Sequence, residues 1–321
     1  MRRGRNYLLL VGTTLFWALN LFLGQAVIGR IDAVQLVWVR WLIAVPPLVL
    51  LALLVDGPQW RAALRDWPRQ LIATALGVVA YPLLAYEALR YTTALDVAIV
   101  GALNPAVLAL AATLVARERV SLRLVLGLAV SLLGVLVVVT RGRLLELFAV
   151  RPNLGELLML GAVVCWTAYS LVGRRSAAPP TTSTAFQAVL CSIALAPLSF
   201  VGGRTIDLDA TSWWYVVAIA VLASALAFAF WNIAVRELGG AASAVFLNLI
   251  PVFTALIGLV LGATVEGAQL LGGALVLAGV TLTAVRLGRR RRPRPAAAAT
   301  GPGPVAGDAG RPGDGRPPAA G

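Results

Sequence analysis

The chain has 321 residues, 60% of them apolar and 13% charged, with a net charge of +13 and a mean hydropathy of +0.86. Soluble domains are roughly half apolar and about a quarter charged, so this composition excludes an ordinary soluble fold and points to a polytopic membrane protein. All 27 basic residues are arginine and histidine is absent, which excludes a lysine phosphate loop, a lysine Schiff base, a Ser–His nucleophile and an imidazole metal site.

A helix needs about 20 apolar residues to cross a bilayer. The N-terminal run MRRGRNYLLLVGTTLFWALNLFLG is too long for a signal peptide and lacks a clear cleavage site, so it reads as a first span, 7–28, behind an arginine cluster. Thr13, Trp17 and Asn20 are spaced by four and three residues and share one face. The second span, 34–55, carries Arg40, and the third, 70–90, carries Tyr81, Tyr86 and Glu87. Ionisable groups at the bilayer centre cost at least about 2.5–3.5 kcal/mol, so they face protein or water. Arg40 and Glu87 differ in depth by about one turn and can pair; either this pair or Glu87–Arg90 is expected to neutralise the charge, and the functional alternative makes Glu87 a proton carrier or a contact for a cationic substrate. Tyr86 reads as an ordinary interfacial aromatic.

The fourth span, 94–115, begins near Asp96, a carboxylate suited to the helix N-terminus, and carries Gly101, Asn104 and Pro105. The fifth, 121–140, is almost wholly Leu, Val, Ala and Gly, with Gly127 and Ser131 spaced for close packing. The sixth, 154–173, carries Trp166 and Tyr169; the seventh is 181–202; the eighth, 213–235, carries Trp231 and Asn232. The ninth, 240–261, carries Asn248 and Pro251, and the tenth, 267–286, has Ala274 and Ala278 at packing distance. Cys165 and Cys191 sit inside apolar runs and read as packing residues. Only helices or closed barrels satisfy the backbone in lipid, and barrel alternation is missing. The expected fold class is an all-α membrane protein of ten transmembrane helices.

Two phrases repeat. ALRYTTALDVAIVGALNP, 88–105, aligns with AVRELGGAASAVFLNLIP, 234–251, at Ala, Arg, Ala, Leu and Pro. Gly127-x6-Gly134-Val135-x5-Arg141 recurs as Gly272-x6-Gly279-Val280-x5-Arg286, and Trp17 and Trp166 precede Pro105 and Pro251 by 88 and 85 residues. A unit of five helices is odd, so its second copy enters the membrane upside down; such inverted repeats mark transporters. The expected divisions are a cytoplasmic N-terminus 1–6, a first five-helix repeat 7–141, an outer linker 142–153, a second repeat 154–287 and a tail 288–321. The tail is basic and rich in Pro, Gly and Ala; it cannot bury a core and is expected to be disordered, with Arg289 to Arg292 as a topology anchor. Twelve arginines before the tail fall on one side and six on the other, which puts both termini in the cytoplasm and the chain in the plasma (inner) membrane. The loop 141–153, with three arginines, runs against that bias.

Polar and aromatic residues concentrate on helices 1, 3, 4, 6, 8 and 9, which are expected to line a central cavity buttressed by helices 5 and 10. Trp17, Asn20, Asn104, Trp166, Tyr169 and Asn248 are the expected substrate contacts. Pro105 and Pro251, each removing a backbone hydrogen bond, are the expected hinges.

LFWALNLFLGQAVI followed by Arg40, ALRYTTALDVAIVGALNP and RERVSLRLVLGLAVSLLGVLVV resembles the EamA-type drug/metabolite transporters; CWTAYSLVGRR through LGGALVLAGV resembles their second domain. The resemblance implies ten helices, an inverted five-plus-five repeat and export of small metabolites such as amino acids or drugs, with some relatives acting on nucleotide sugars or lipid-linked sugars. Two departures stand out. Glu118 matches an acidic residue ahead of the fifth helix, but Ala263 and Thr264 stand there in the second copy; Gln25 replaces a basic residue that Arg174 supplies in the second. The expected function is a secondary transporter exporting a small metabolite by alternating access. The alternative is a flippase or transporter for a lipid-linked or nucleotide sugar, with Arg40 as its headgroup contact. No enzyme activity, cofactor or metal is expected. The expected partners are a small-molecule substrate, membrane lipids and a second copy in a homodimer, not nucleic acid, because the basic residues form no stripe interleaved with exposed aromatics.

Overall fold

The computed structural model describes residues 2–57, 59–117, 119–144, 153–203, 205–238, 243 and 245–284. The tail 288–321, Glu118 and linker residues 145–152 lie outside the described residues. Eight apolar runs form helices long enough to cross a membrane: α1 (Gly4–Val27), α2 (Ala33–Val55), α3 (Trp67–Ala88), α4 (Ala94–Val115), α5 (Leu122–Val139), α6 (Leu154–Gly173), α7 (Pro180–Ser199) and α8 (Ala210–Leu238). Two shorter apolar helices come next, α9 (Phe246–Val260) and α10 (Gly267–Leu282). Among the described residues there is no strand.

Side-chain caps set several starts. Asp32, Thr93, Ser121, Asn153 and Asp209 each accept a hydrogen bond from a backbone N–H in the first turn of α2, α4, α5, α6 and α8, an arrangement worth about 0.5–2 kcal/mol per helix. Asp209 explains why α8 begins at Ala210, three residues before the expected 213. Its carboxyl is held below the ordinary aspartate value by the Ser212 amide and hydroxyl and by the Arg30 guanidinium.

Large apolar side chains such as Leu54, Leu122 and Val260 project outward, 73%, 72% and 86% exposed. Soluble monomers rarely show apolar patches beyond a few hundred Å², so these faces are suited to lipid. Inside lipid the hydrophobic drive between helices vanishes and close packing must hold them. The α5–α10 seam does this through glycine. A Cβ on Gly134 would fall 2.5 Å from the Gly272 carbonyl oxygen, and one on Gly279 would fall 2.4 Å from that of Gly127. The two helices therefore run antiparallel with their backbones touching. Helices α2 and α7 also run antiparallel. Gln35 donates to the Ser199 carbonyl (2.9 Å) and Trp38 to that of Ser192 (3.0 Å), while Asp56 accepts from the Thr182 amide (2.8 Å).

At one end of the bundle Arg30 pairs with Asp209, Asn153 donates to the Tyr91 carbonyl (2.8 Å) and Arg141 pairs with Glu266 (2.7 Å). At the other, Arg5 pairs with Glu237 (3.2 Å) and Arg236 with Asp56 (3.3 Å). Exposed pairs contribute only about 0–1 kcal/mol each, so these align helix ends rather than hold the bundle; Asp56 alone is shielded, its side chain 1% exposed.

Candidate functional site

Two helices depart from regular winding. In α3 the stretch Thr74–Ala80, and in α8 the stretch Ile219–Leu226, are wound as wide turns with bonds five residues apart. Such turns are rare and recur at functional sites. Beside each, a carbonyl without its regular backbone donor is satisfied by an indole. The regular donor to Val78, four residues on, is Pro82, which has no N–H; the Trp41 Nε1–H donates to Val78 instead, at 2.9 Å. The Ala227 N–H bonds to Leu222 rather than Ala223, and the Trp17 Nε1–H donates to the Ala223 carbonyl at 3.1 Å.

Between α1, α2, α3, α4, α6, α8 and α9 lies a cavity of about 90 Å³. Its wall includes six aromatic side chains, Trp17, Trp41, Tyr81, Tyr86, Trp166 and Phe228. The Trp166 ring lies 5.0 Å from Tyr81 and 6.1 Å from Trp17, and Trp17 lies 5.7 Å from Phe228, several of these pairs edge-to-face as ring quadrupoles favour. Into the wall projects a polar chain. Arg40, 5% exposed, donates from Nε to Ser224 Oγ (2.9 Å) and from Nη1 to the Tyr86 hydroxyl (2.5 Å). Tyr86 in turn donates to Asn20 Oδ1 (2.7 Å). Ser224 donates to the Ile219 carbonyl (3.2 Å), so the wide turn of α8 also sets the Arg40 contact.

Of the expected contacts, Trp17, Asn20, Asn104 and Trp166 all line this cavity. Asn104 is 8% exposed and its Oδ1 has no hydrogen-bond partner. Tyr169 stands behind the wall, its ring tilted against Trp166 at 5.3 Å and lying over Gly77, where a Cβ would fall 2.3 Å from the tyrosine ring. Asn248 ends a tight turn, Val245–Asn248, and is not among the wall residues; Leu247 and Ile250 are. Pro105 lies in the first turn of a restarted helix: α4 runs Ala94–Gly101, breaks at Ala102 and Leu103, and resumes as Asn104–Val115. Pro251 is buried in α9 just after its tight turn.

The expected Arg40–Glu87 pair does not form. Glu87 bonds to Arg90 (3.0 Å) with its side chain partly exposed, while Tyr86, 1% exposed, takes the inward position beside Arg40. Adjacent helical residues differ in direction by about 100°, and only one of the two can face the cavity. Tyr86 is therefore a buried wall residue, not an interfacial aromatic. Helix α2, outside the expected lining set, contributes Arg40 and Trp41; the cluster VWVRW within an otherwise aliphatic run was the available signal.

Residues 4–140 and again 153–285 match the EamA-like transporter family. The chain is 24% identical over 289 residues to the uncharacterized transporter YyaM of Bacillus subtilis (strain 168), spanning 88% of this chain and 94% of that one. It is 28% identical over 238 residues to a probable terminal-alkyne amino-acid exporter of Streptantibioticus cattleyicolor, spanning 72% and 78%. It is also 31% identical over 141 residues to the threonine/homoserine exporter RhtA of Salmonella typhimurium (strain LT2), spanning 41% and 46%. A crystal structure 22% identical in sequence shares the fold, with a TM-score of 0.65 over 90% of this chain and 100% of that one. The two-fold match along the sequence, the apolar helices and the transporter relatives agree: the chain is a multi-pass membrane protein and belongs to the EamA-like transporter family of the drug/metabolite transporter superfamily.

Proposed function

We propose that this protein is a secondary transporter that exports a small metabolite through the central cavity by alternating access. Ten helices cross the inner membrane as an inverted five-plus-five repeat, with both termini cytoplasmic. The α5–α10 seam carries the reading. Gly127 and Gly134 correspond in the repeat to Gly272 and Gly279. Gly127 meets Gly279 while Gly134 meets Gly272, the reciprocal contact that a two-fold axis generates. The wide turns Thr74–Ala80 and Ile219–Leu226 occupy corresponding places, and each packs against an indole. Two halves related this way can exchange conformations around a fixed midplane site. Export of amino acids or similar compounds accords with the named activities of the relatives.

Topology is tested by single cysteines placed in 145–152 and in 300–310 after removing Cys165 and Cys191. Impermeant maleimide should label only the first from outside; labelling of both from one side rejects the inverted arrangement. The substrate site is tested with Asn104→Ala in proteoliposomes, by counterflow of threonine, homoserine and other amino acids. Loss of one ligand hydrogen bond should weaken apparent affinity about two- to tenfold at unchanged membrane expression. Unchanged transport removes Asn104 from the site.

A further inference from the structure

Arginine stays protonated at every accessible pH, and a charge inside a spanning bundle pairs with an opposite charge or backbone carbonyls, or faces a cavity on a substrate pathway. Arg40 forms no ion pair among the described residues. Its Nε and Nη1 are held by two neutral oxygens, of Ser224 and Tyr86. Tyr86 gives its own proton to Asn20, so its lone pair is turned toward Arg40 and fixes the guanidinium without neutralising it. The rings of Trp41 and Tyr86 lie 5.1 and 5.5 Å from the guanidinium carbon, which softens the charge but does not cancel it. Among the described residues lining the cavity none is acidic, and Arg40 is the charged one. Of its five N–H donors, those left by Ser224 and Tyr86 remain for a ligand. The same wall holds Asn104, nine-tenths buried with an unsatisfied oxygen.

We propose that this cavity takes small molecules with an anionic head group, a carboxylate or a phosphoryl oxygen, docked on the Arg40 guanidinium. The apolar body of the ligand lies against Trp17, Trp166 and Phe228, and Asn104 Oδ1 accepts a ligand N–H or O–H. The inference rests on the cavity being the transport site, and it adds that cations lacking an acid group are excluded. A guanidinium held in place by neutral groups costs nothing to reorient when the anion arrives, and its fork matches both carboxylate and phosphate.

The test is a tryptophan-fluorescence titration of the purified full chain with four probes: 3-phenylpropionate, its amide, phenethylamine and phenyl phosphate. At least one anion should bind about tenfold or more tightly than the amide and the amine, because a charge-assisted hydrogen bond is roughly twice as strong as a neutral one. Whichever anion binds better tells a carboxylate from a phosphoryl head group. Arg40→Gln should drop the anions to the affinity of the amide, while Arg40→Lys keeps part of the preference. Equal affinity for acid and amide in the native protein overturns the proposal, as does an Arg40→Gln protein that melts normally and keeps the preference. If Arg40→Gln does not fold, the native ligand series decides alone. Counterflow of the same probes separates this inference from the transport reading. Arg40-dependent anion binding without any flux leaves the anion site standing and removes the reading of this cavity as the transport site. Flux of the amine but not the acid does the reverse.

Discussion

Replacing Gly134 with leucine is expected to leave no folded protein. The Cβ alone would sit 2.5 Å from the Gly272 carbonyl oxygen and 2.7 Å from the Val276 nitrogen. Those neighbours are backbone atoms, which cannot rotate aside as a side chain can. Overpacking a core that can yield costs about 1–3 kcal/mol; here α10 must move off α5 as a body. Lipid tails are as apolar as the leucine and fill the gap at no cost, so nothing draws the helices back together. Set against a total stability of about 5–15 kcal/mol, loss of the seam is decisive. Gly279→Leu meets Gly127 in the same way, with its Cβ 2.4 Å from the carbonyl oxygen, and should fail equally. Gly273→Ala is the control, because its Cβ would meet only the Ile99 side chain, at 3.6 Å. Size-exclusion profiles and melting temperatures in detergent report the outcome. A Gly134→Leu protein that melts like the native one rules out backbone contact between α5 and α10.

The seam glycines were legible as repeat landmarks, Gly127 and Gly134 recurring as Gly272 and Gly279 at the same interval of seven, but not as the contact between α5 and α10, since packing was read from Gly127/Ser131 and Ala274/Ala278. Trp17 and Trp166 were legible for the same reason. The polar network was not, and the wide turns explain why. A wide turn lodges one extra residue in the helix and rotates the residues beyond it by about 100°. Downstream of Thr74–Ala80 the facing of Tyr86 and Glu87 is therefore shifted from a regular 3.6-residue period. Depth along the helix paired Arg40 with Glu87; rotation gives Arg40 to Tyr86. The turn Val245–Asn248 is wound more tightly than a regular helix, and it accompanies the absence of Asn248 from the cavity wall. Neither TALGVVA nor IAVLASAL, both small and aliphatic, announces a change of winding. Only Pro82, just after the first of them, does.

Trp41→Ala is expected to cost toward the lower end of the about 3–5 kcal/mol typical of buried tryptophan truncation, because in lipid the transfer share of that figure shrinks. Two losses remain: a cavity opens beside Phe228, whose ring lies 5.6 Å away, and the 2.9 Å hydrogen bond to Val78 is gone. Trp41→Phe isolates the second effect. It keeps a ring but leaves the Val78 carbonyl short of a donor, at about 1–3 kcal/mol. Pro82→Ala restores a backbone N–H four residues after Val78, so the double variant Trp41→Phe, Pro82→Ala should regain much of that loss. A cycle of melting temperatures over the four proteins measures the coupling, and no recovery means that the indole is not substituting for the proline. Function should follow stability in the same set: the wide turn of α8 stands without a proline, so a bond from residue 82 to Val78 leaves the turn Thr74–Ala80, and with it the Tyr86–Arg40 contact, in place.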